Sequence, residues 1–136
     1  MAMILIVEDN PANMKLTSLL VRNASHAVLS AVDAETGLTL AREHHPDLIL
    51  MDIQLPGMDG LEATAVLKGD PATSAIPVIA LTAMAMKDDQ EKSRLAGCDA
   101  YIAKPLRYQE LYAAIDRLLP AAIGGAPAGA TAPGAR

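Results

Sequence analysis

The sequence predicts an α/β protein: an open, doubly wound sheet of five parallel strands in which every strand is followed by a helix, (βα) five times. Three observations carry this. Short leucine-rich or β-branched runs alternate with longer segments of helical period. The runs are apolar along their whole length, as strands covered on both faces require. Cap and turn residues fall between them, and five units are too few for a closed barrel of eight.

In chain order, the strands are expected at MILIV (3–7), HAVLSAV (26–32), DLILM (47–51), VIALT (78–82) and DAYIA (99–103). The first helix, Pro11 to Asn23, opens on a proline suited to a first turn and carries Leu16, Leu19 and Leu20, read as its apolar face. The second, Ala34 to His44, carries Leu38 and Ala41, and His44-His45 at its end suits the dipole better than a metal site. The third, Leu61 to Lys68, carries Leu61, Ala65 and Leu67, with Asp59 as its cap. Met86 to Ala96 is charged but for Leu95 and its ends, and Tyr108 to Leu119 repeats Leu111, Ile115, Leu118 and Leu119 at helical spacing. Gly69 and Gly97 suit helix C-termini, and Pro46, Pro71 and Pro77 lie in connections.

Residues 1–119 are expected to form one domain, and 120–136, rich in Ala, Gly and Pro, a flexible tail. The net charge of −5 and three tyrosines as the sole aromatics disfavour nucleic acid. No apolar stretch approaches the ~20 residues needed to cross a bilayer. A single cysteine, Cys98, and no leader predict a reducing, cytoplasmic location.

In an open parallel sheet, ligands gather beyond the carboxyl ends of the strands. There the sequence places Glu8-Asp9-Asn10, Asp52, Thr82-Ala83 and Lys104-Pro105. Three carboxylates in one place repel unless a cation compensates. Mg²⁺ suits them, with Mn²⁺ as the expected substitute, whereas zinc would want the Cys or His that these strand ends lack. A carboxylate beside Mg²⁺ can also be a nucleophile toward phosphorus. Lys104, Thr82 and backbone amides after Asp52 would then hold the phosphoryl oxygens, and Ala83 would leave room for approach.

Through LIVEDN (5–10), LILMDIQLPGMDG (48–60), PVIALTA (77–83) and GCDAYIAKPL (97–106), the chain resembles the receiver domains of two-component response regulators, the CheY-like family, over residues 3 to about 119. The resemblance implies a flavodoxin-like sheet of order 2-1-3-4-5, Asp52 as phosphoacceptor, and Mg²⁺ held by Glu8, Asp9, Asp52 and the main-chain carbonyl of Gln54. It implies switch roles for Thr82, Tyr101 and Lys104 and a cis Lys104-Pro105 peptide. The implied function is a switch in a phosphorelay rather than an enzyme. Its partners would be a histidine kinase or histidine phosphotransfer protein, and a protein docking on the fourth helix, fifth strand and fifth helix. No output domain is recognisable after residue 119, which suggests a stand-alone regulator. EDNPANMKL (8–16) and DIQLPGMDGLE further resemble regulators of cell fate and division in alphaproteobacteria. Gln54 and Met84 are expected to tune phosphoryl lifetime, and Asn13, Met14, Lys15 and Leu106 to dock the phosphodonor.

Two other readings share parts of this pattern. A haloacid-dehalogenase-like phosphatase wants a second aspartate two residues after the nucleophile, where this chain has Gln54. A flavin carrier of the same architecture wants Ser, Thr and Gly amides in a first loop that here reads EDNPAN.

Overall fold

A computed structural model describes residues 2–82 and 87–119. The elements are β1 (Met3–Val7), α1 (Pro11–Asn23), β2 (Ala27–Ala31), α2 (Ala34–His44), β3 (Leu48–Asp52), α3 (Gly60–Gly69), β4 (Val78–Thr82), α4 (Lys87–Ala96), β5 (Ala100–Ala103) and α5 (Tyr108–Leu118). All five strands are parallel in the order β2-β1-β3-β4-β5. The chain therefore steps from β1 to one side, then returns past it to the other. That reversal separates the connections leaving β1 and β3 and opens a crevice between their carboxyl ends.

The alternation of side chains across each strand builds two cores. Leu5, Val7, Ile49 and Met51 pack on one face with Leu38 and Ala41 of α2 and Ala63 and Leu67 of α3. Ile4, Ile6, Leu48 and Leu50 pack on the other with Val21 of α1 and Leu111 and Ile115 of α5. Each fully buried side chain of this size contributes roughly 1.5 to 3 kcal/mol.

The helices differ from expectation in orientation more than in extent. In α1, Leu16 and Leu19 are 46% and 55% exposed, and the buried residues are Thr17, Ser18 and Val21. Small side chains let the helix approach the sheet, so the leucines, though more apolar, face outward. In α3 the buried set is Gly60, Ala63, Thr64 and Leu67, with Ala65 exposed. Leu95 of α4 is exposed, while the small Ser93 is buried. β3 runs one residue further than the apolar run suggests, and Asp52 pairs with Leu81 of β4.

The local chemistry at helix starts follows the sequence. Pro11 occupies the first turn of α1 beneath an Asn10 cap, Asp33 caps α2, and Asp59 forms a reciprocal capping box with Glu62. α2 ends on His44, with His45 in the left-handed conformation. Ala83, Met84 and the tail from residue 120 lie outside the described residues.

Candidate phosphoacceptor and cation site

Register brings the site together. Val7 of β1 pairs with Met51 of β3, so Glu8 and Asp52 leave adjacent strands at the same level, one residue beyond that pair. Asp52 is held in the ladder by its pairing with Leu81, and the next residue donates its N–H to the Leu81 carbonyl at 3.0 Å. Glu8 and Asp52 are buried, whereas Asp9 is exposed at the mouth. One carboxylate oxygen from each of the three acids lies within 4.8 Å of the others.

Lys104 reaches across from the far side. Its Nζ donates to Glu8 Oε1 at 2.8 Å and to Asp52 Oδ2 at 3.2 Å. The reach depends on β4 and β5: Thr82 pairs with Ala103, and the Lys104 N–H donates to the Thr82 carbonyl at 2.6 Å. Thr82 is buried at the end of β4, and the Lys104-Pro105 peptide is cis, as the resemblance implied. The other Asp52 oxygen, Oδ1, accepts from the Gln54 N–H at 3.0 Å, so both carboxylate oxygens have fixed directions. Glu8 Oε2 accepts from the Asn10 N–H at 3.3 Å.

These contacts leave negative charge in excess. Among the described residues, one ammonium, bonded to Glu8 and Asp52, stands against three clustered carboxylates, two of them buried. Burial chiefly, and then Asp52 beside it, raises the Glu8 carboxyl from its ordinary 4.5 to about 7, against the opposing pull of Lys104. Burial on its own would lower the Lys104 ammonium, but the hydrogen bond to Glu8 and the charge of Asp52 outweigh it, and its pKa is raised. Three hard oxygens close together, with one acid holding a proton near neutrality, match what a small divalent cation would bind in place of that proton.

Of the remaining predicted residues, Tyr101 lies half-buried on β5 and lines a cleft with Gln90, Ser93, Arg94 and Cys98. Met14 on α1 and Leu106 after the cis proline are half-buried and pack against the same core cluster, with Asn13 half-buried and Lys15 exposed beside Met14. The Gln54 side chain is exposed. Sequence reasoning missed Gly60, whose Cα faces the Asp52 backbone directly. A glycine at the first position of a helix, where better helix formers are available, was the available signal.

Residues 4–116 match the family model described as the response regulator receiver domain, and the chain belongs to that family. It is thus a receiver domain of the CheY-like class, a module of two-component signalling. The relative of note is DivK: the polar-differentiation response regulator DivK of Brucella ovis is 53% identical over 103 residues, which is 76% of this chain and 84% of DivK. Among solved structures, the receiver domain of sensor histidine kinase PA1611 from Pseudomonas aeruginosa PAO1 carries a magnesium ion coordinated in its active site cleft. It matches at TM-score 0.81 and 35% identity over 86% of this chain and 96% of that one. Vibrio cholerae CheY4 matches at TM-score 0.82 and 24% identity over 88% and 99%, a likeness of fold.

Proposed function

We infer that this receiver accepts a phosphoryl group on Asp52 from a phosphohistidine of a histidine kinase or histidine phosphotransfer protein, and that the change alters which proteins it binds. The observation that carries the reading is the pair of contacts on Asp52. One oxygen is oriented by the Gln54 amide and the other by Lys104. The buried carboxylate is therefore aimed before any donor arrives, with little reorganisation left for the reaction.

Glu8, Asp9 and Asp52, with the Gln54 carbonyl, would hold Mg²⁺ or Mn²⁺. When bound, the cation neutralises charge shared between the acids and the incoming phosphoryl oxygens. An Asp52 oxygen forms the new P–O bond as the P–N bond to the donor histidine breaks, and the histidine leaves with the bonding electron pair. Lys104 can follow an acceptor oxygen onto the phosphoryl group, a shift that frees Glu8 from its only described lysine. Thr82, buried at the end of β4, would donate to a second phosphoryl oxygen. Tyr101, in the cleft beside α4, would carry the change to the face of α4, β5 and α5. Similarity to DivK favours a role in cell-cycle or cell-fate control in the cytoplasm.

The deciding measurement is intact mass after incubation with acetyl phosphate and Mg²⁺. Wild type gains one phosphoryl group and Asp52→Asn gains none; uptake by the variant, or none by wild type, refutes the reading. Docking of the donor on Met14, Lys15 and Leu106 next to Asn13 has its own check. Leu106→Asp slows transfer from the phosphodonor protein and leaves uptake from acetyl phosphate unchanged. An unaltered protein-to-protein rate moves the docking site elsewhere.

A further inference from the structure

The wall behind Asp52 is the first turn of α3. The Gly60 N–H donates to the Ile53 carbonyl at 3.3 Å. A Cβ placed on Gly60 would lie 2.2 Å from the Asp52 carbonyl oxygen, 2.6 Å from Ile53 Cα and 2.9 Å from the Asp52 carbonyl carbon. All three are backbone atoms, which cannot rotate aside as a side chain does. A single methyl group would have to displace either the helix start or the peptide that joins the acceptor to Ile53.

The helix start is itself restrained. Its Asp59-Glu62 capping box fixes the entry of the chain. The buried Thr64 hydroxyl donates to the Gly60 carbonyl at 2.8 Å. On the sheet side, the Ile53 N–H is bound to the Leu81 carbonyl. Residues 52–54 are thus clamped between β4 and the first turn of α3, and these residues include the carboxylate, the amide that orients it and the carbonyl proposed to meet the cation.

We propose that Gly60 is a positioning residue for phosphoryl acceptance, its missing side chain allowing α3 to abut the Asp52–Ile53 peptide, with Thr64 holding that turn in place. The inference rests on Asp52 being the acceptor. A displacement of about 1 Å in a reacting group lowers rates by up to about 100-fold, whereas the surface proposed above to receive a protein donor, Met14, Lys15 and Leu106, lies on other elements. The maximal rate should therefore fall while half-saturation by a donor protein holds.

The experiment follows phosphorylation of the full chain by acetyl phosphate and by its donor protein, at saturating Mg²⁺ and well below the melting temperature. Gly60→Ala should lower the maximal rate about 10- to 100-fold without changing half-saturation by the donor protein. Thr64→Val, which keeps shape and removes the hydrogen bond, should lower it several-fold. Ile115→Val, which destabilises the distant α5 core, should retain the wild-type rate and so separates positioning from stability. Wild-type maximal rates in Gly60→Ala overturn the proposal. If Gly60→Ala does not fold, Thr64→Val decides, and an unchanged rate there overturns it. If wild type itself takes up no phosphoryl group, it is the acceptor assignment that fails.

Discussion

The two rims of the sheet contain similar residues used in opposite ways. At the amino ends of the strands, charged groups meet one backbone partner after another. Asp47 Oδ2 accepts from the Met3 N–H at 2.8 Å, and Asp99 Oδ2 accepts from the Val78 N–H at 2.8 Å. Lys68 Nζ donates to the Ile76 carbonyl at 2.8 Å, to Ser74 at 3.3 Å and to Asp99 at 3.0 Å. At the carboxyl ends, three acids lie together, and among the described residues one lysine pairs with the two buried ones, Glu8 and Asp52. The first rim completes hydrogen bonds that the strand starts would otherwise lack. The second holds uncompensated charge, which is a cost to the fold and a capacity to bind cation and phosphate. Acids at the end of a strand are therefore ambiguous until their partners are counted.

The largest expected effect comes from breaking the second rim. Lys104→Met leaves Glu8 and Asp52 buried without their cation, so at pH 8 in EDTA it should lower unfolding free energy by about 3 kcal/mol. It should also slow phosphoryl uptake about 100-fold. Urea titration and the acetyl phosphate assay check both, and wild-type behaviour in both would remove Lys104 from the site. The corresponding change at the first rim, Asp99→Ala, strands the Val78 N–H and one contact of the partly exposed Lys68. It should cost about 1 kcal/mol and leave uptake unchanged. Slowed uptake in that variant would mean that the two rims are coupled.

The two rims should also differ in the sign of their slopes with pH, measured in EDTA. Glu8 has a raised pKa in the fold, so the folded state keeps a proton that the unfolded chain has released. Stability should decline as pH rises from about 4.5 to about 7, and Glu8→Gln should remove that decline. His26, at the other rim, is lowered from 6.5, chiefly by burial, and its Nδ1 accepts from the Ala2 N–H at 3.1 Å. Here the unfolded chain takes up the proton first, and stability should decline as pH falls below about 6.5. His26→Asn should flatten that limb alone. Slopes of the same sign in both variants would contradict this account.

The sequence by itself determined the alternation of elements, because strand and helix periods, capping aspartates and punctuating prolines are local properties. β1, α1 and α2 start and end where those patterns predict, and Asp59 is the cap expected of it. That Glu8, Asp9, Asp52 and Lys104 gather at one edge was also legible, since each stands at a strand end in a recognisable motif. What only the tertiary structure decided is which side of a helix the sheet selects. Thr17, Ser18 and Val21 lie inward in place of Leu16 and Leu19 because close approach to the sheet favours small side chains over the most apolar ones. It also decided that the residue abutting the Asp52–Ile53 peptide is a glycine. The meaning of Gly60 lies in a peptide eight residues earlier in the chain, and only strand register and the return of α3 bring the two within contact.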